Sequence, residues 1–151
     1  MSTASEAIII ADPKAAVTQW FERLGRYCAS VDYSSARAIF ADDVVSFGTR
    51  ADIVAGLDHL QRNQWEGIWP NIQDFQINLD SVHAHGDERM AWGVATWTST
   101  GFHEDGTSFF RPGRATVILE RRNGQWLSVH THFSLNPGTP PRTHGWKQGL
   151  S

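Results

Sequence analysis

Side chains suited to chemistry are concentrated on the two segments that flank Asn123-Gly124. An Asn-Gly pair between two β-rich segments favours a two-residue type I′ turn, which fixes the residues that face each other across the hairpin. Because side chains alternate between the faces of a strand, counting outward from the turn assigns each residue to one face. One predicted face carries Arg114, Thr116, Ile118, Val129, Thr131 and Phe133, and the opposite face carries His130 and His132.

The face that contains Arg114 is mostly apolar with a few polar groups, which is typical of a small-molecule site. A guanidinium group in such a pocket would favour a carboxylate, an enolate or another anion. The alternative is a salt bridge of Arg114 at the end of its strand. We expect the first arrangement to place Arg114, Thr116, Thr131 and Phe133 around a ligand.

The pair His130 and His132 has three interpretations that the sequence leaves open. Imidazoles two residues apart on a strand share a face, so they could hold a metal ion together with His83 or His85. A histidine also titrates near neutral pH and is suited to general acid or base catalysis. The third interpretation is a structural pair, hydrogen-bonded where the sheet meets another surface.

The apolar residues of the elements that position these side chains follow a helical period in the first part of the chain. In the second part the period is that of strands. Asp12-Pro13 is a helix start, and apolar residues from Val17 to Val31 follow at helical spacing. Further helices are predicted over 33–41 and 52–65, with a short strand over 44–47 between them. Strands are predicted over 72–84, 89–102, 108–122 and 125–135, with a bulge or bend at Pro112-Gly113. Helices followed by an antiparallel meander indicate an α+β fold whose curved sheet encloses a pocket.

Composition limits the classes of protein. The chain has 151 residues, a single cysteine and a net charge of −3, which predicts one domain over 1–151 with extended tails over 1–12 and 136–151. The absence of a basic stripe argues against nucleic acid, and no apolar run is long enough to span a membrane. We expect a cytoplasmic protein. Seven tryptophans suggest that some line a ligand cavity or an interface.

Two segments of the chain carry a family resemblance. Phe40-Ala41-Asp42-Asp43-Val44-Val45 and the segment from Arg121 to Ser134 resemble the nuclear transport factor 2-like superfamily, and its SnoaL-like group in particular. The superfamily includes polyketide cyclases, steroid delta-isomerases, limonene epoxide hydrolase and scytalone dehydratase. The resemblance covers nearly the whole chain. It implies a cone in which a curved antiparallel sheet is wrapped by three N-terminal helices around an internal pocket, commonly in a dimer.

The resemblance also implies roles for individual residues. Tyr27 matches the oxyanion tyrosine of the steroid isomerases, whose general-base aspartate would fall on Gly48 and whose second acid on Thr116 or Ile118. Arg114 matches an arginine that helps to activate water in limonene epoxide hydrolase. An acidic residue of the SnoaL cyclases lies near the position of Thr131. The association domain of calcium/calmodulin-dependent kinase II, which is similar over the last hairpin, has an arginine at the position of Phe133 and is an assembly module.

Together these observations predict a binder of a small hydrophobic molecule with a carbonyl or carboxylate group. Catalysis of proton transfer (isomerisation, dehydration or cyclisation), without a cofactor or metal, would use Tyr27 and Arg114 for the oxyanion and His132 or His130 for the proton. The predicted substrate-binding residues are Trp65, Trp69, Trp97, Thr116, Thr131 and Phe133, although Trp92 and Trp97 could exchange roles. The alternative is a non-catalytic module that forms a homodimer or larger oligomer through an outer sheet face bearing Trp126, His130 and His132.

Overall fold

The computed structural model describes residues 7–138 and 140–144. In this part of the chain, one long and three short α-helices accompany a single sheet. The α-helices are α1 (Pro13–Ser30), α2 (Tyr33–Arg37), α3 (Leu57–Leu60) and α4 (Glu66–Ile68), with a π-helical turn at Gln61–Trp65 and a 3₁₀ turn at Trp69–Asn71. The strands are β1 (Phe40–Gly48), β2 (Ala51–Ala55), β3 (Gln73–Gly86), β4 (Met90–Phe102), β5 (Ser108–Phe110), β6 (Gly113–Arg122) and β7 (Gln125–Leu135).

Helix α1 begins and ends with the signals that its sequence provides. The Asp12 side chain accepts a hydrogen bond from the Lys14 backbone N–H, and Pro13 occupies the first turn. The helix ends where Val31 adopts a left-handed conformation and its N–H returns to the Cys28 carbonyl. The buried face, from Ala16 to Cys28, packs on β3 and β4. The predicted first helix is therefore confirmed.

The sheet is mixed. Its strand order is β2-β1-β7-β6-β4-β3, with β5 paired to β4. Strand β1 runs parallel to β7, and the other neighbouring strands run antiparallel. The α+β class is confirmed, and the predicted meander is confirmed for β3 to β7. The parallel pair places β1 second from one edge of the sheet, between β2 and β7, which is the last strand of the chain.

A β-bulge in β7 changes the register that the hairpin turn predicts. The pairs from Arg122 with Gln125 to Leu119 with Ser128 are as predicted. Ile118 then pairs with His130, so Val129 is an extra residue in β7. A shift of one residue exchanges the two faces of a strand. The predicted grouping of Arg114 with Thr131 and Phe133 is therefore wrong.

The segment between α2 and β3 also differs from the prediction. Helix α2 ends at Arg37 and β1 already starts at Phe40, although a helix to residue 41 was expected. The predicted helix over 52–65 is a strand, β2, as far as Ala55. Gly56, at φ 94°, makes the turn between β2 and α3, and its N–H donates to the Val44 carbonyl of β1. β2 completes a hairpin with β1, so tertiary pairing overrides the helical pattern.

The core lies between α1 and the face of the sheet that it covers. Trp20, Trp97 and Trp126 are fully buried there. The indole N–H of Trp20 donates to the Ile39 carbonyl at 3.0 Å, and that of Trp126 donates to the Ile10 carbonyl at 2.8 Å. The expectation that Trp126 lies on the outer sheet face is therefore wrong. No helix in the described part of the chain has both the length and the apolar character needed to cross a membrane.

Candidate functional site

A cavity lies between the inner face of the sheet, helix α1 and the helical segment from Leu57 to Asn71. The cavity volume is about 60 Å³, and the space between the walls is about 560 Å³ when the part open to solvent is included. It is therefore a narrow cleft that has room for several waters or a small ligand. The lining residues are Leu24, Cys28, Phe40, Phe47, Thr49, Leu60, Gln64, Trp65, Ile68, Trp69, Ile72, Phe75, Trp97, Arg111, Thr131 and Phe133.

Aromatic rings form most of the cavity wall. The rings of Trp65 and Trp69 are stacked, with centroids 4.7 Å apart and planes at 15°. Phe40 meets Trp65 edge to face at 4.9 Å, and the Trp97 ring lies 5.4 Å from that of Phe75. Such a wall offers large, rigid apolar surfaces, and it favours a flat or aromatic ligand.

Arg111 is the cation of the cavity. It lies between β5 and β6, where its backbone N–H and carbonyl both bond to Ser99 at 2.9 Å. Its guanidinium is half-buried, donates to the Thr49 hydroxyl at 3.0 Å and lies 5.4 Å from the centre of the Trp97 ring. Within the described residues its hydrogen-bonded side-chain partners are hydroxyl groups, and no carboxylate pairs with it.

The charge of Arg111 is only weakly compensated. Burial lowers the pKa of its guanidinium, the nearby Cys28 offsets part of that effect, and the positive charge of Arg50 lowers the pKa further. An arginine stays protonated in proteins despite such shifts. A half-buried, protonated guanidinium with hydroxyl partners can still receive an anion or a carbonyl oxygen.

Cys28 lines the same cavity but is not suited to nucleophilic chemistry. Burial raises the pKa of its thiol from 9.0 to about 12, and the nearby charge of Arg111 offsets only part of that effect. The thiolate is the reactive form, so a thiol with this pKa is inert near neutral pH. Cys28 is buried in the core.

Two further polar groups of the cavity differ in their hydrogen bonding. The Thr131 hydroxyl is buried and bonds to the Ser46 hydroxyl at 2.6 Å, across the parallel strands β1 and β7. Gln64 is also buried, and its Oε1 has no hydrogen-bond partner within the described part of the chain. Its amide occupies the space that a β-carbon at Gly48 would take. The glycine therefore creates the room for the Gln64 side chain.

The predicted substrate-binding residues are mostly found at this cavity. Trp65, Trp69, Trp97, Thr131 and Phe133 line it, whereas Thr116 pairs with His132 on the outer face. Trp97 is 1% exposed and Trp92 is 46% exposed, so Trp97 is the one of the two that faces inward. That these residues bind a ligand stays a prediction.

The four predicted catalytic residues lie elsewhere. Arg114 is exposed on the outer face of the sheet, where its Nε donates to the Ser134 hydroxyl at 3.4 Å. The bulge at Val129 places His130 and His132 on that same outer face. Tyr27 is buried in the core and is not one of the cavity-lining residues. Among the lining residues in the described part of the chain there is no carboxylate and no imidazole.

The outer face contains the histidines that were considered as metal ligands. His130 bonds through Nδ1 to the Val45 carbonyl at 2.7 Å, and the rings of His130 and His132 both pack against Phe47. His83 and His85 lie on β3, three strands away from β7, which corresponds to about 14 Å. That distance is too great for a shared ion, and no group of potential ligands close enough for a metal is found within residues 7–138 and 140–144.

Sequence reasoning missed Arg111 and Gln64. Arg111 precedes Pro112-Gly113, which was interpreted only as a bend, yet a bend is where a side chain at a strand end turns into a cavity. Gln64 lies in a π-helical turn that no sequence pattern signalled. π-Turns are frequent at functional sites, so the structure, once known, draws attention to Gln64.

Comparison with known proteins agrees with this architecture. The family model for the SnoaL-like domain matches residues 14–137. A nuclear transport factor 2-like superfamily protein from Salmonella enterica serovar Typhimurium superimposes with a TM-score of 0.70, at 18% identity, over 98% of this chain and 99% of that one. No curated protein matches this chain.

Two other solved structures share the fold, although they are described by different roles. A ketosteroid isomerase-like protein from Erwinia carotovora atroseptica has a TM-score of 0.64 at 15% identity, over 83% of this chain and 95% of its own. The association domain of C. elegans calcium/calmodulin-dependent kinase II has a TM-score of 0.65 at 15% identity, over 80% and 94%. At these identities the likeness shows the fold alone.

The chain thus has an α+β fold that it shares with the nuclear transport factor 2-like superfamily protein. Because the family model covers most of its length, the chain belongs to the SnoaL-like domain family.

Proposed function

We propose that this protein binds a small aromatic or apolar molecule that carries a carboxylate or carbonyl oxygen. The observation that carries the proposal is the half-buried Arg111 guanidinium in an aromatic cavity, without a carboxylate partner among the described residues. The rings would hold the body of the ligand, and Arg111 would neutralise its charged oxygen. Arg111 here takes the role that the sequence suggested for Arg114.

Binding accounts for the cavity better than proton transfer does. The titratable lining residues in the described part of the chain are Cys28, whose thiol pKa is about 12, and Arg111. General acid or base catalysis needs a group with a pKa near the working pH. Turnover by Tyr27, Arg114, His130 or His132 stays a prediction. It would require a second site on the outer face of the sheet, where Arg114, His130 and His132 lie.

The test uses benzoate and phenylacetate as probes, with phenylacetamide as the neutral comparator. Three of the seven tryptophans line the cavity, so ligand binding should change the intrinsic fluorescence. We expect the carboxylates to bind more tightly than the amide. We expect Arg111→Met to weaken carboxylate binding about 10- to 100-fold, because a charge-assisted hydrogen bond is lost.

The matched control is Arg114→Met, which removes an exposed arginine from the outer face of the same sheet. We expect this variant to bind the carboxylates like the unmodified protein. Equal losses in both variants, or no preference for a carboxylate over the amide, would contradict the proposal.

A second function, self-association, is favoured by the outer face of the sheet. Strand pairing aligns two neighbouring rows of side chains across this outer face, and each row runs from β1 through β7, β6 and β4 to β3. One row is Val45, His130, Ile118, Trp92 and His85, and the other is Phe47, His132, Thr116, Val94 and His83. Trp92 is 46% exposed, and Phe47, which also lines the cavity, is 38% exposed. Exposed apolar surface of this kind marks an interaction site.

We propose that a second copy of this chain covers the two rows in a homodimer. The experiment is sedimentation velocity over a range of protein concentrations. Trp92→Lys should shift the protein from dimer towards monomer, since a charge is costly in a dry interface. Ile9→Lys is the control, because Ile9 is exposed outside the sheet. A monomer at all concentrations for the unmodified protein would contradict the dimer.

A further inference from the structure

Two buried polar atoms in residues that line the cavity have no hydrogen-bond partner in the described part of the chain. They are Oε1 of Gln64 and Nε1 of Trp97. More than nine in ten buried polar groups in proteins are satisfied, and each exception needs an explanation. One atom is an acceptor and the other is a donor, so the two atoms need different kinds of partner.

The position of Gln64 is determined by two separate features of the chain. The π-helical turn Gln61–Trp65 widens the helix at this point and brings both Gln64 and Trp65 into the cavity lining. Gly48, at the end of β1, leaves free the space into which the Gln64 amide extends. A glycine and an irregular helix together bury an amide whose acceptor is unpaired. Simple packing would be served better by an apolar side chain.

Gln64 also lies near the cation of the cavity. Its amide lies over Gly48, and the neighbouring residue Thr49 accepts a hydrogen bond from Arg111 Nη2 at 3.0 Å. Consecutive α-carbons are about 3.8 Å apart. The amide and the guanidinium are therefore anchored at adjacent positions of the same strand end, within reach of the two ends of a single small molecule.

We propose that Gln64 selects a ligand that carries a hydroxyl or N–H donor in addition to its carboxylate or carbonyl oxygen. The donor of the ligand bonds to Gln64 Oε1, and its anionic or carbonyl oxygen pairs with the Arg111 guanidinium. The ligand class is a hydroxylated aromatic acid or a related hydroxy-carbonyl compound. This inference rests on the proposed function, which it makes more specific.

Calorimetric titration of phenylacetate and its 2-, 3- and 4-hydroxy isomers tests the proposal. We expect at least one isomer to bind about 5- to 10-fold more tightly than phenylacetate, because its hydroxyl satisfies a buried acceptor. Gln64→Met keeps the length of the side chain and removes the acceptor. In this variant the gain from the hydroxyl should disappear, so that the best hydroxy isomer binds no more tightly than phenylacetate.

Gln61→Met is the matched control, since Gln61 lies in the same turn and its amide oxygen instead bonds to Arg37. The preference for the hydroxylated isomer should survive this change. If phenylacetate binds through Arg111 and no hydroxyl isomer gains affinity, the inference fails and the proposed function stands. If no carboxylate in the series binds, or binding ignores Arg111→Met, the proposed function fails and the inference fails with it.

Discussion

At the scale of single residues, Cys28 shows how burial decides chemistry. Its thiol pKa is raised to about 12 by desolvation, from an ordinary value of 9.0. We expect a disulfide-exchange reagent such as DTNB at about pH 8 to leave Cys28 unmodified in the folded protein, and to react fully after unfolding in guanidinium. Rapid labelling of the folded protein would contradict the assignment of Cys28 as inert.

The raised pKa of the Cys28 thiol also makes the stability of the fold depend on pH. Between pH 9.0 and about 12 the unfolded chain loses the Cys28 proton and the folded chain retains it. The folded state therefore binds more protons, and the free energy of unfolding falls as the pH rises through this range. Cys28→Ala should lessen that fall, which urea unfolding at several pH values would measure.

Two glycines allow a comparison of the same substitution in different surroundings. A β-carbon at Gly48 would meet the end of the Gln64 side chain, which can move, whereas one at Gly113 would meet the Ser134 carbonyl and the Trp97 ring. Gly113→Ala should cost at least about 2 kcal/mol, because the backbone must shift. Gly48→Ala should cost less than about 1 kcal/mol while displacing the Gln64 amide. Thermal unfolding measures both.

The ligand specificity of Gly48→Ala is the more informative readout. If the displaced amide no longer reaches its position, the variant should bind phenylacetate and its best hydroxy isomer with equal affinity. Retention of the hydroxyl preference in a folded Gly48→Ala protein would show that the Gln64 amide does not need the space above Gly48.

At the scale of elements, the sequence predicted the features that depend on interactions between residues close together in the chain. The Asp12-Pro13 start and the apolar spacing predicted α1, and Asn123-Gly124 predicted the turn and the first pairs of the last hairpin. Neither signal contains the bulge at Val129, which depends on how β7 fits between β6 and the parallel strand β1. This extra residue exchanges the two faces of β7 relative to β6. The sequence therefore indicated Arg114 as the cation of the ligand site, whereas Arg111 lies at the cavity.

The parallel pair β1–β7 makes its own prediction. The buried hydroxyls of Ser46 and Thr131 bond across it at 2.6 Å. Thr131→Val or Ser46→Ala alone should cost about 1–3 kcal/mol, because each leaves one buried hydroxyl without its partner. The double variant removes both groups and should lose less than the sum of the single losses. A double-mutant cycle by urea unfolding gives the coupling, and simple additivity would contradict the cross-strand bond.

At the scale of the whole molecule, the two proposed functions belong to opposite faces of one sheet. The inner face carries Thr131 and Phe133 into the cavity, and the outer face carries His130 and His132 beside Phe47. The sequence contains both sets in one short alternating segment, so pattern alone could not show which set belongs inside. The fold decides, because α1 and the helical segment from Leu57 to Asn71 cover only one side.

This separation predicts that ligand binding and self-association respond to different substitutions. Arg111→Met should lose affinity for phenylacetate and sediment like the unmodified protein, since Arg111 lies at the cavity. Trp92→Lys should sediment as a monomer and retain its affinity for phenylacetate, since Trp92 is exposed on the opposite face. Calorimetry and sedimentation on the same two samples measure all four values. If Trp92→Lys also loses phenylacetate binding, the dimer itself supports the cavity, and the two faces act as one unit.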